Sequence, residues 1–238
     1  AIGSLRLDNL DRELATLLKE GGTETISLAP EAGSQRLRDV IHKGIRDEQV
    51  MHAVEALIEQ GIPNIRLYFM VGLPTEEDED IEAIIQCTKK IKHTADHYSQ
   101  GKRNFKRITL SLNQFIPKAA TPFQWCPLTD ITLVKKRIRK IVDAFRRDPS
   151  VRVVHDLPKW NYIQALLSLG DRRVGNILLS VHKYEGNWPK ALKEVNVNPD
   201  FYVYRQKDPD EILPWDFIDH GVSKIFLSTE YKKAVSGD

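Results

Sequence analysis

Ile65-Arg66-Leu67-Tyr68-Phe69-Met70-Val71, followed by Gly72-Leu73-Pro74-Thr75-Glu76-Glu77-Asp78, decides the fold class. The first seven residues are rich in branched and aromatic side chains and read as a strand buried on both faces. Gly72-Leu73-Pro74 breaks that strand. Thr75 and the acids behind it read as a cap and an acidic first turn, favourable at the positive end of a helix dipole. The helix is expected to run to about His97. A strand, a sharp exit and a helix make up the repeating unit of a parallel sheet with crossover helices.

The same unit recurs on either side. Upstream, residues 2–7 read as a short strand, 10–20 as an amphipathic helix closed by Gly21-Gly22, and 25–29 as the next strand. Residues 34–42 read as a helix stopped at Gly44, and 47–60 as another ended by Gly61 with Pro63 beyond. Downstream, 107–115 is a strand, and a loop follows with Pro117, Pro122 and Pro127. Thr129-Asp130 caps a basic helix to about Arg147, and 151–155 is a last short strand. A barrel and an open doubly wound sheet both satisfy this order, and in either the ligands bind at the carboxyl ends of the strands.

After His155 the texture changes. Residues 157–169 and 172–182 read as two short helices, Asn198-Pro199-Asp200 caps another around Tyr202, and 223–234 is the last. The expected organisation is a strand–helix domain over residues 1–126 and a mostly helical extension over 127–238.

Composition excludes several classes. Of 238 residues, 41% are hydrophobic and 29% charged, and the net charge of +2 is spread along the chain, which gives no argument for nucleic acid. No apolar run approaches the ~20 residues that span a membrane, and no secretory signal opens the chain. Cys87 and Cys126 are far apart, without ligand spacing around either, so neither a disulfide framework nor a metal site is supported. A reducing, cytoplasmic compartment fits. The start at Ala1, without Met and already strand-like, is expected of a piece of a longer protein.

The unusual residues sit at strand exits. Ala29-Pro30-Glu31-Ala32-Gly33-Ser34 offers a carboxylate, a glycine and a capping serine. Glu31 is either a solvated loop acid or an acceptor for ligand hydroxyls, since an ionised carboxylate suits a ribose diol. Arg36, Arg38 and Lys43 form either a solvated basic face or a partner for a ligand carboxylate, with Arg36 and Lys43 on one face. Gly72 lets backbone approach a ligand closely. His155 and His220 are isolated. The basic run 135–140 backs onto Val134, Ile138, Ile141 and Val142, which makes it a solvated outer helix.

Ser27-Leu28-Ala29-Pro30-Glu31-Ala32-Gly33-Ser34-Gln35-Arg36-Leu37-Arg38, with Lys43-Gly44, and then Leu67–Glu76 resemble the fourth and fifth strands of a radical S-adenosylmethionine (radical SAM) barrel. The form is similar to the branch with an amino-terminal cobalamin-binding domain. Gly170-Asp171-Arg172-Arg173-Val174, Leu213-Pro214-Trp215-Asp216 and Gly221-Val222-Ser223-Lys224 resemble that branch's tail. The resemblance implies an α/β fold, a partial (β/α) TIM-like barrel holding strands three to six of six. It implies S-adenosylmethionine across the strand ends, with Glu31 on the ribose and Lys43 near the methionine carboxylate. Ser34 and Tyr68 would lie nearby, with Gly72 and the backbone around Asn113 and Phe115 on the adenine side. It further implies a 4Fe–4S cluster that yields a 5′-deoxyadenosyl radical, cobalamin in an upstream domain, and a substrate that the motifs do not identify. The three closely spaced cysteines that hold such a cluster are not in this chain.

Two other readings stand beside it. One is a degenerate barrel acting as a binding or scaffold domain, for RNA through the basic helix. The other is a phosphate-binding α/β enzyme, which lacks its Gly-rich cradle here. A part-barrel also bares an edge strand, so self-association, or a tail folded across the gap, is expected.

Overall fold

In the computed structural model the described residues are 7–99 and 105–237. The strand expected over 2–7 lies outside them except for Leu7, which opens a short 3-10 turn, Leu7–Asn9. The chain divides into two compact units.

Of the described residues, the first unit comprises 7–99, 105–114 and 132–156, with Gly237. Four strands, β1 (Thr25–Glu31), β2 (Asn64–Val71), β3 (Arg107–Gln114) and β4 (Val151–His155), form one sheet in the order β1-β2-β3-β4. Every neighbouring pair is parallel. Parallel neighbours need crossovers, and these are α2 (Gln35–Val40) with α3 (Asp47–Glu59), α4 (Asp78–Ser99) and α5 (Ile131–Phe145); α1 (Arg12–Glu20) precedes β1. Residues 132–156 fall with the sheet, beyond the 126/127 boundary read from the sequence, because β4 pairs with β3 and α5 joins the same core.

The expectation that 65–71 is buried on both faces is corrected. Ile65, Leu67, Phe69 and Val71 are buried, whereas Arg66, Tyr68 and Met70 are only half-buried. β1 and β3 alternate in step. The buried face packs with Ala15 and Leu18 of α1, Val54 and Leu57 of α3, Ile81 and Ile84 of α4, and Val134 and Ile141 of α5 in one cluster. Helices thus cover one face of the sheet. At about 25 cal/mol per Å² of apolar surface, that face is the main source of stability.

The start expected for α4 at Thr75 is also corrected. Thr75 has φ +61°, a left-handed conformation that no helix residue adopts, and α4 begins at Asp78. Glu76 turns back instead, and its carboxylate accepts the Gly72 N–H at 2.8 and 3.0 Å.

Of the described residues, the second unit comprises 115–131 and 157–236. It is helical: α6 (Pro158–Leu169), α7 (Val174–Lys183), α8 (Trp188–Glu194), α9 (Asp200–Val203) and α10 (Lys224–Ser236). Sequence reading did not anticipate α8, although Asn187 caps it by accepting from Lys190 N–H and Pro189 sits in its first turn. Two apolar clusters hold the unit, one around Leu166, Ile177 and Val203, the other around Trp125, Leu169 and Leu213.

Candidate functional site

β1 ends in an irregularity. Its register with β2 shifts between Leu28 and Glu31, and Glu31 itself has φ +67°. A left-handed residue with a Cβ costs about 1–2 kcal/mol. The bulge aims the Glu31 carboxylate at Lys43, whose Nζ donates to Oε1 at 3.2 Å. Both side chains keep about a quarter of their surface exposed (27% and 28%), so the pair can be reached. Lys43 reaches it because the chain turns back after α2, through His42 at φ +53° and Gly44 at φ +65°.

The other cations of that segment part company. Arg36 and Lys43 were expected on one face; Arg36 instead pairs with Asp80 and donates to the Thr75 carbonyl at 2.8 Å. Arg38 is fully buried. It donates to the carbonyls of Ala32 (2.9 Å) and Ile45 (3.1 Å) and pairs with Asp47, which fixes the loop behind Glu31 to the start of α3. Ser34 caps α2 by accepting from Leu37 N–H, and its hydroxyl donates to buried Asp80. Gly33 is required by packing, since a Cβ there would lie 2.3 Å from the Ile84 nitrogen.

The second strand exit is built around Glu76. Arg137 of α5 donates to the Glu76 carboxylate and carbonyl, each at 2.7 Å, in a buried pair. Burial pushes the Glu76 carboxyl up to about 7, although the Gly72 amide and Arg137 both favour its ionised form. The Gly72 N–H is therefore engaged within the protein, and Gly72 at φ +85° serves the turn. Arg137 also leaves the basic run expected to be solvated. It lies three residues after Val134 and four before Ile141, the spacing of the apolar face, and that spacing was the signal for it.

Of the remaining residues singled out by sequence, Tyr68 and Asn113 lie half-buried on the sheet face opposite the helices, with Asn113 in register with Met70. Phe115 belongs to the second unit, edge-on to Phe123 at 5.6 Å. The structure thus brings Glu31 and Lys43 together and ties Ser34 into the support beneath them.

The cysteines do not fit an iron–sulfur cluster. Cys87 packs against the core of the first unit and Cys126 is buried in the second; burial pushes each thiol up to about 11. Among the described residues, no group of three or more His, Cys, Asp or Glu could hold a metal ion. No helix among them is long and apolar enough to cross a membrane.

Residues 3–87 match the sequence model of the Radical SAM superfamily. The chain is 34% identical over 175 residues to an uncharacterized protein of Methanocaldococcus jannaschii, in an alignment covering 74% of this chain and 36% of that protein. It is 33% identical over 88 residues to an uncharacterized methyltransferase of Pyrococcus horikoshii, covering 37% of this chain and 19% of that protein. The chain therefore spans well under half the length of these relatives. Residues 3–87, which carry β1 and β2, are thus similar to the Radical SAM superfamily, and the four parallel strands are those of a partial (β/α) barrel.

Proposed function

We propose that this chain is the S-adenosylmethionine-binding part of a radical SAM enzyme whose 4Fe–4S cluster is held by residues outside it. The observation that carries the proposal is the Glu31–Lys43 pair at the carboxyl end of β1. S-adenosylmethionine presents a diol and a carboxylate. In this reading Glu31 accepts from the ribose hydroxyls and Lys43 donates to the methionine carboxylate, each exchanging its present partner for a ligand group. Tyr68 and Asn113 face the ligand from the open side of the sheet, and Gly72 shapes the adenine side. Ser34 acts through Asp80, as a positioning residue. When bound with its cluster, the cofactor supplies a carbon-centred radical; this chain's part is binding, orientation and exclusion of water.

The finer assignments are proposals on the same footing. Methyl transfer is the reaction to test first, because one relative is named a methyltransferase. Cobalamin would belong to a further domain, as the branch resemblance implies. Free thiols suit a reducing compartment, and we assign the protein to the cytoplasm.

The test is calorimetric titration of S-adenosylmethionine into cluster-reconstituted full-length protein. A charged hydrogen bond is worth about 1.5–3 kcal/mol, so Glu31→Ala is expected to weaken binding by roughly ten- to a hundredfold. Equal affinities would overturn the ribose assignment.

A further inference from the structure

The sheet face opposite the helices carries a row whose chemistry the cofactor reading does not use. Ser27, Arg66, Thr109 and Arg152 are in register across β1, β2, β3 and β4. The alternation of the strands puts all four on the open face, and Arg107 stands in the adjoining row. Among the described residues, the side chains of Arg66, Arg107 and Arg152 have no hydrogen-bond or ion-pair partner. No acid stands in either row; Glu31, with Lys43, and Asp156, beside Asn113, lie toward the strand ends. Three unpaired guanidinium groups side by side repel one another, and sheet rows avoid such juxtaposition unless something offsets it. Arg66 and Arg152 are two strands apart, roughly 10 Å at the backbone, so their long side chains can converge above Thr109. Arginine and hydroxyl groups in that array all donate, and an oxyanion is the group that accepts from all of them.

We propose that this row binds an oxyanion, a phosphate or carboxylate, at one end of an elongated small-molecule substrate. Arg66 and Arg152 carry the charge, and the hydroxyls of Ser27 and Thr109 complete the donor set. Met70 lies four residues further along β2, so the row is roughly 13 Å from the strand ends. The substrate class is thus an acid whose anionic group lies about that far from the atom that reacts. This rests on the reading that the strand ends hold the cofactor.

The experiment titrates this chain, at constant ionic strength, with inorganic pyrophosphate and separately with glutarate, reading the Arg152 Nε–H resonance by NMR, a probe that the variants below retain. Saturable shifts are expected, with affinity at least tenfold weaker in Arg66→Gln, while Arg146→Gln on the outer surface binds as the wild type does. Preference for pyrophosphate or glutarate tells phosphate from carboxylate. Shifts that do not saturate, or an unchanged affinity in Arg66→Gln, overturn the proposal. So does Arg66-dependent binding of a polyglutamate peptide when neither small anion binds, because the occupant is then an acidic protein surface. The outcomes are separable from those at Glu31: loss of cofactor binding in Glu31→Ala with no Arg66-dependent anion binding sinks only the inference. Anion binding with equal cofactor affinities sinks only the ribose assignment.

Discussion

The strand ends of the first unit and the motifs of the second are equally conspicuous in sequence, yet their residues are employed differently. In the second unit the charged groups satisfy one another. Asp171 accepts from Arg173 at 2.6 Å and from the Tyr202 hydroxyl at 3.0 Å; Asp216 holds Lys224 at 2.6 Å and the Leu213 N–H at 2.8 Å; Arg205 meets Glu211 through two bonds of 2.6 Å. Trp215 donates its indole N–H to Gln124. These are fastenings. In the first unit the fastenings, Arg38, Asp80 and Arg137, lie below the surface, and they leave Glu31 and Lys43 reachable above and Arg66 without a partner. Left-handed backbone alone does not separate the two regions, since Glu185 at φ +50°, exposed after α7, shares it with Glu31.

The contrast can be broken most forcefully at the ion pairs. Arg137→Ala leaves Glu76 buried without its cation, and such losses cost about 3–5 kcal/mol. Arg205→Ala, in a pair about one third exposed, should cost under about 1 kcal/mol. Denaturant titration of both variants checks the difference, and equal losses would mean that the second unit depends on its charges as heavily as the first.

The two units should also respond to pH with opposite sign. The folded Glu76 carboxyl titrates near 7, above its ordinary value near 4.5, so the native state keeps a proton that the unfolded chain releases. Its contribution is fully present below about 4.5 and declines as pH rises to about 7, by about 3 kcal/mol at most. Lys207 of the second unit is buried, and burial lowers its ammonium to about 8. Its native state gives up a proton that the unfolded chain holds, so stability rises from about pH 8 toward 10.5. Melting temperature against pH should lose the acid-side slope in Glu76→Gln and the alkaline slope in Lys207→Met.

Glycines sharpen the comparison at a smaller scale. Gly33→Ala drives a Cβ into the α4 backbone and should cost about 2 kcal/mol or more. Gly175→Ala in α7 meets nothing within 4 Å and should stabilise by up to about 1 kcal/mol. Smallest is the pair of left-handed glutamates. Glu31→Gly should be about 1 kcal/mol more stable than Glu31→Ala, and Glu185→Gly than Glu185→Ala, by thermal melting. If cofactor binding in the full-length protein responds to the Glu185 substitutions as it does to those at Glu31, the distinction drawn between the two regions is wrong.

Much of the architecture was legible because it is local. Gly21-Gly22, Gly44 and Gly61 mark helix ends, and the strands at 25–31, 64–71 and 107–114 stand out by their branched residues. The second face of the sheet was hidden: Leu67, Tyr68, Phe69 and Met70 look uniformly apolar until one knows which side the helices cover. Lys43 and Glu31 were each visible, but not as partners, because their meeting depends on the bulge in β1 and the turn through His42. The burial of Arg38, Asp80 and Arg137 was hidden for a simpler reason. Charged residues in helices are ordinarily solvated, and only tertiary packing buries these three.

If the β1 strand end holds the cofactor as proposed, the ion pair between Glu31 and Lys43 makes its capture an exchange. A molecule offering only hydroxyls would occupy Glu31 and strand an ammonium beside it; one offering only a carboxylate would free Glu31 with nothing to accept. Each half alone gives back much of what it gains, whereas a molecule presenting both halves at the right separation satisfies both groups at once. Under the proposed assignment, fragments should therefore bind far more weakly than their sum, and the strand end would act as a coincidence detector that favours the whole molecule over partial look-alikes.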